Sequence, residues 1–215
     1  MTTTEVMALL EKNRNDRGIA NWKKLGPKTG GLKSFGIGLT QLRKLARTVG
    51  RDRALAASLW HSDVYDARVI GMLIDDPKQI TREQAERDVE NLNAGMMVHI
   101  YSSCDATLAK SPLAYEIACD WIDTDDELRQ RCGWGLIYEL SKLKGRRAPD
   151  EAFFAACIAR IRRDIHAKPM WVRESMNTAM MGMGKRSKAL NQAAIAAVKD
   201  IGPLDIDYGL SLIHI

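Results

Sequence analysis

Leu59-Trp60-His61-Ser62, followed by Tyr65-Asp66-Ala67-Arg68 and the apolar run 69–74, is the stretch that decides the fold. An aromatic residue closes one helical pattern, a small hydroxyl residue sits in the turn, and an arginine rides early on the next pattern. A weaker copy lies downstream in Trp121-Ile122-Asp123-Thr124, then Gln130-Arg131 and the run 132–137. Matched by their aromatics, the copies place Trp60 level with Trp121. A pair of helices cannot bury its apolar faces alone, so a recurring pair implies a stack.

The rest of the chain agrees. Helical periodicity dominates, with no convincing alternation of the kind strands show. Residues 3–13 read as a first helix, and 14–38 as an irregular stretch rich in glycine and lysine, anchored by Trp22. Leu39, Leu42, Leu45, Ala46 and Val49 form an apolar stripe ending at Gly50. Helices follow at 52–61 and 64–75, closed by Pro77. Thr81 with Gln84 is a capping-box pattern, and Ser111-Pro112, Pro149-Asp150 and Lys168-Pro169 punctuate later helices. Hairpins recur near the ~40–47 residues of HEAT-type repeats. The expected fold is all-α: HEAT-like stacked antiparallel helix pairs forming a curved superhelix. The expected organisation is one domain over 1–209, irregular in its 1–38 part. Residues 210–215 (Leu-Ser-Leu-Ile-His-Ile) match a translation of CTG-TCT-CTT-ATA-CAC-ATC, the start of a transposon-derived sequencing adapter. They are expected to be non-native, so His214 enters no site.

Composition narrows the class. With 215 residues, 46% hydrophobic and 27% charged, the chain is expected to be an ordinary globular protein. No apolar run approaches the ~20 residues of a membrane span, and no signal-peptide pattern opens it. The expectation is a cytoplasmic monomer with no membrane partner. Cys104, Cys119, Cys132 and Cys157 each sit in a helical pattern without CxxC spacing, so reduced thiols are expected, and neither metal nor cofactor. A net charge of +5 mildly favours an anionic partner.

Several segments together carry a family resemblance. They are Phe35-Gly36-Ile37 with Leu42-Arg43-Lys44-Leu45-Ala46, Leu59-Trp60-His61-Ser62 with Asp66-Ala67-Arg68, and Lys110-Ser111-Pro112 with Ala114 and Trp121. Arg129-Gln130-Arg131, Val172-Arg173-Glu174-Ser175-Met176-Asn177 and Ile201-Gly202-Pro203-Leu204-Asp205-Ile206-Asp207 complete the set. In order and spacing the chain resembles the DNA alkylation repair proteins, the AlkD-type HEAT-like alkylpurine DNA glycosylases, over roughly residues 35–209. The resemblance implies a basic groove holding duplex DNA and excision of cationic alkylated purines. Such a base is already a good leaving group, so a carboxylate and aromatic faces stabilising an oxocarbenium-like sugar suffice.

The chain departs from that pattern where the chemistry lies. The family's Trp-Asp-x-x-Asp-like segment falls on Met97-Val98-His99-Ile100-Tyr101. Met97 stands in the tryptophan place and Tyr101 in the catalytic-aspartate place, and a further family tryptophan is replaced near Thr178. A neutral phenol supplies no full negative charge. Asp105, one helical turn on, is the best available carboxylate. The candidate catalytic set is therefore Asp105, Tyr101 and His99. Each also has a plain reading: a solvated acid, a packed ring, a satisfied half-buried histidine.

Arg131 matches the family's groove arginine. Basic turns at Lys142, Lys144, Arg146 and Arg147, and again at Lys185, Arg186 and Lys188, recur one repeat apart and fit a phosphate backbone; lysines complementing helix C-termini are the alternative. Arg160, Arg162 and Arg163 receive no role. Trp134 can face core or groove, and Met176, Met180, Met181 and Met183 read as adaptable core filling. Three functions stay open: a glycosylase-like repair enzyme, a non-catalytic DNA-binding protein, and a protein–protein scaffold.

Overall fold

The computed structural model describes residues 1–104, 106–145 and 148–206. Asp105, Arg146, Arg147 and 207–215 lie outside the described residues. The described residues form two compact units, 1–111 and 112–206. Among the described residues there are twelve α-helices and no strand, so the fold is all-α.

The first unit holds α1 (Thr3–Lys12), α2 (Asp16–Lys24), α3 (Leu39–Val49), α4 (Arg53–Trp60), α5 (Tyr65–Ile74), α6 (Arg82–Val89) and α7 (Met97–Ser102). Seven of the ten residues of α5 are buried, so this helix has no solvent face to offer. It accordingly sits at the centre, packed by α1, α3, α4 and α7.

Residues 14–38 are more ordered than their composition implies. They contain α2 and a 3-10 turn at Gly26–Thr29. Only Gly18 and Trp22 of α2 are buried, too few to make an apolar stripe, and the helix is held from outside instead. Asn15 caps it by accepting from the Gly18 amide at 2.9 Å, while its own amide donates to Phe35 O at 2.8 Å. A Cβ on Gly18 would lie 2.0 Å from Gly36 O, and Gly36 has φ +70°, so glycine is required on both sides of this contact. Asp66 of α5 completes the clasp, accepting from Ser34 Oγ, Phe35 N and Ile37 N at 2.8, 2.8 and 3.0 Å. Trp22 donates through Nε1 to Leu32 O at 2.9 Å and packs its ring 4.5 Å from that of Tyr65.

The second unit holds α8 (Ala114–Ile122), α9 (Glu127–Leu140), α10 (Glu151–Asp164), α11 (Met170–Gly184) and α12 (Lys188–Ile201). Helix α9 packs on α8 and α11, and α12 packs on α10 and α11. Trp134 is 1% exposed and belongs to this core. Met176, Met180 and Met183 are buried there too, whereas Met181 is exposed. The side chains of Asp126, Asp150 and Ser187 cap α9, α10 and α12, accepting from the backbone N–H of Arg129, Phe153 and Leu190.

The two hairpins repeat in a register different from the one their aromatics suggest. In α4–α5, Arg68 Nε donates to Ser62 O at 2.7 Å. In α8–α9 the same bond to the turn comes from Gln130 Nε2 to Thr124 O. A Cβ on Gly71 would meet Ala56 O at 3.0 Å, and one on Gly133 would meet Ala118 O at 3.2 Å. What recurs is the close helix approach and the clasped turn. Trp121 thus corresponds to Leu59 (both at most 1% exposed), and Trp60 to Ile122. Cys104, expected within a helix, lies beyond the end of α7 with φ +57°.

Candidate nucleic-acid interface and the cavity at Tyr101

Because Gln130 holds the turn, Arg131 is left for another neighbour. Its guanidinium lies 5.5 Å from the ring centroid of Trp171 at the start of α11. Its Nε is buried without a hydrogen-bond partner. Burial lowers its pKa, an effect that Cys132, Glu127 and Glu174 oppose electrostatically. A guanidinium braced on an aromatic face is a positive charge held in one place, which suits an incoming anion such as a phosphate. Trp171 was not singled out from sequence, although it stands one ~40-residue repeat after Arg131.

The basic turns divide into three kinds. Lys144, Lys185 and Lys188 are exposed and make no ion pair among the described residues. Lys142 pairs with Glu139 at 2.8 Å and lies 4.0 Å from the Tyr138 ring centroid. Arg186, expected with the lysines as a phosphate contact, is engaged internally. It donates to Ser141 O, Leu143 O and Pro149 O at 3.0, 2.6 and 3.3 Å and lies 4.7 Å from the Phe154 ring centroid. Those bonds commit three of its five donors to backbone carbonyls. Arg146 and Arg147 lie outside the described residues. Arg160, Arg162 and Arg163, given no role, pair with Asp123, Asp200 and Asp164.

In the first unit, Tyr101 is 7% exposed, with its ring 6.0 Å from that of Trp60. Met97 is fully buried. His99 is half-buried; Ser103 Oγ lies 3.3 Å from its Nδ1 and donates to its carbonyl at 2.6 Å. Asp105 lies outside the described residues.

Tyr101 and Trp60 line a cavity of about 150 Å³ that also receives Asp75 and Asp88. Asp75 accepts from Arg53 Nη1 at 3.1 Å and Gln84 Nε2 at 2.9 Å, while Gln84 Oε1 accepts from Arg53 Nη2 at 2.9 Å. That closed ring ties α4 to α6 and saturates Asp75. Asp88, 8% exposed, is different: burial raises its pKa to about 6, against the opposing pull of Gln84, Arg87 and His61. Sequence reading passed over it because α6 looks like a solvated charged helix. Among the described residues no cluster of three or more His, Cys, Asp or Glu could hold a metal ion, and no helix is long and apolar enough to cross a membrane.

A family model described as "DNA alkylation repair enzyme" matches residues 6–212. The uncharacterized proteins Lin0241 of Listeria innocua and Lmo0209 of Listeria monocytogenes are each 24% identical over 188 residues, 83% of this chain and 77% of theirs. A solved structure superposes with a TM-score of 0.83 at 23% identity, covering 96% of this chain and 86% of that one. It is described as "a new family of proteins related to the HEAT-like repeat DNA glycosylases with affinity for branched DNA structures". What the present chain shares with it is the fold.

Proposed function

Because the chain belongs to the DNA alkylation repair enzyme family, we propose that it binds DNA, duplex or branched, through phosphate contacts made by its second unit. The observation that carries this reading is Arg131, whose guanidinium is braced on the ring of Trp171. Lys142, Lys144, Lys185 and Lys188 are the further contacts, and Arg146 and Arg147 join them on sequence grounds. Arg186 supports the loop that bears them. Contacts of this kind position DNA without reading its sequence. Branched DNA is included because of the affinity named for the structurally similar protein. Titrating labelled duplex and four-way-junction DNA with the wild type and a Lys144→Ala/Lys185→Ala variant tests the reading. Weaker binding by a variant that melts like wild type supports it, and identical isotherms remove it.

A second reading, excision of cationic alkylpurines, is favoured by the cavity that places Asp88 with Trp60 and Tyr101. The mechanism needs a negative charge against a developing cation. Tyr101 cannot provide it; Asp105 or Asp88 can. Release of methylated purine from duplex DNA is the assay. Loss of release in Asp105→Asn assigns the charge to Asp105, loss in Asp88→Asn assigns it to Asp88, and no release by the wild type leaves DNA binding as the function.

A further inference from the structure

The cavity at Tyr101 holds an acceptor that the protein itself leaves largely unused. Asp88 stands four residues after Gln84 on α6, one turn on and on the same face, and both line the cavity. Gln84 Nε2 donates to Asp75 at 2.9 Å, and Gln84 is also the one hydrogen-bond donor acting on Asp88 among the described residues. Arg87 and His61 attract the Asp88 carboxylate electrostatically, but neither forms an ion pair with it among the described residues. A carboxylate has about four acceptor sites. Most of that capacity is therefore open in a residue that is buried, and a buried polar group left short of partners costs stability.

The space beside Asp88 has the size and the walls for a flat ring. An apolar cavity of about 150 Å³, the volume found here, holds one benzene. Ala56, Gly71 and Leu108 give it a buried apolar floor. Trp60 and Tyr101 stand together with centroids 6.0 Å apart, so a guest lies against the pair and not between them. The exposed lining residues Ala57, His61 and Arg87 mark the mouth. With Asp75 saturated, one remaining carboxylate is too few ligands for a metal ion. It suits N–H donors on the edge of a planar molecule instead, because an ionised carboxylate accepts and does not donate. Among the nucleobases, adenine and cytosine set an acceptor beside their donor, and thymine flanks its ring N–H with two carbonyls. Guanine alone puts a ring N–H and an amino group side by side.

We propose that this cavity binds a planar heterocycle with two adjacent N–H donors, the hydrogen-bonding edge of guanine, Asp88 accepting from both and Trp60 and Tyr101 packing against the ring. The sugar leaves through the mouth beside His61 and Arg87. The ring can arrive on a free nucleoside or as an unpaired base of DNA, and the chemistry of recognition is the same. The proposal goes beyond both readings above, since holding a ring requires neither a backbone contact nor a broken glycosidic bond.

The test is calorimetric titration of the full chain with guanosine, inosine and adenosine at about pH 7.5, where the Asp88 carboxyl is ionised. None of the three carries a phosphate, so basic surface plays no part. Guanosine should bind. Inosine, which lacks the amino group, should bind about tenfold more weakly, and adenosine, which sets a ring acceptor against the carboxylate, more weakly still. Asp88→Asn removes the charge and one acceptor oxygen. It should lower guanosine affinity at least about tenfold and bring it level with inosine, in a variant that melts no lower than wild type. A duplex with one unpaired guanine, compared with the same duplex carrying unpaired inosine, separates the two sources. A preference for guanine that Asp88→Asn erases makes the occupant a base of DNA; equal DNA affinities together with guanosine binding make it the free nucleoside. Absence of both signals overturns the proposal. So do equal affinities for the three nucleosides, which would reduce the cavity to a slot for any flat ring, and guanosine binding that Asp88→Asn leaves unchanged. Base release is not among these readouts, so a protein without excision activity can still meet them, and failure here leaves the phosphate contacts of the second unit untouched.

Discussion

Asp66 and Asp88 are both buried carboxylates whose pKa burial raises, yet they do opposite things for the fold. Asp66 is surrounded by donors, two of them backbone amides of the 34–37 segment. Asp66→Ala strands those amides and should cost about 3 kcal/mol, read as a lower denaturant midpoint. Asp88 has weaker compensation. Its folded value of about 6 lies above its ordinary 3.8, so the folded state takes up the proton first. Its stabilising contribution is therefore complete below about pH 4 and is lost as pH rises through 6. Asp88→Asn should raise stability at about pH 7, by at most about 3 kcal/mol and less to the extent that water screens the site. Near pH 4 it should change little. Melting curves at the two pH values check this, and a variant equally neutral at both would show that the carboxylate is solvated.

At the scale of elements, the hairpins are set by glycines. Gly133→Ala would place a Cβ 2.8 Å from Ile122 Cγ2 and 3.0 Å from Ile122 N, forcing α8 from α9. A loss of about 1–3 kcal/mol is expected, with Gly71→Ala milder because its nearest contact is 3.0 Å and the next 3.4 Å. Arg186→Ala should cost about 2–3 kcal/mol by freeing three carbonyls, whereas Lys185→Ala should leave stability alone. Thermal melts separate the two roles. The helices of the repeats were legible in the sequence because apolar spacing and caps such as Asp150 report directly on them. Helix α2 was not, because its order comes from Gly36, Asn15 and Asp66, contacts distant in the chain or too local to show periodicity. The hairpin register was misread for a related reason: tryptophans catch the eye, while Gly71 and Gly133 hold the repeat. Arg131 was legible as a candidate; its aromatic brace and the internal commitment of Arg186 were visible only in three dimensions. Asp88 was hidden within a charged helix.

For the whole molecule, the charge of +5 says little until it is located. Many cations are spent internally, as with Arg53 on Asp75 and Arg160 on Asp123. Those without an ion pair among the described residues include Arg131, Lys144 and Lys185. Phosphate contacts release counterions, so affinity must fall linearly with salt on logarithmic axes, by about 0.9 per contact. The decisive measurement is the affinity of wild type and Arg131→Ala/Lys144→Ala/Lys185→Ala for the same DNA from about 50 to about 200 mM salt. The account predicts a steep wild-type line, and a weaker variant whose slope is shallower by about two to three, with helical content unchanged. A wild-type affinity indifferent to salt, or a folded variant whose line overlays it, would contradict the account.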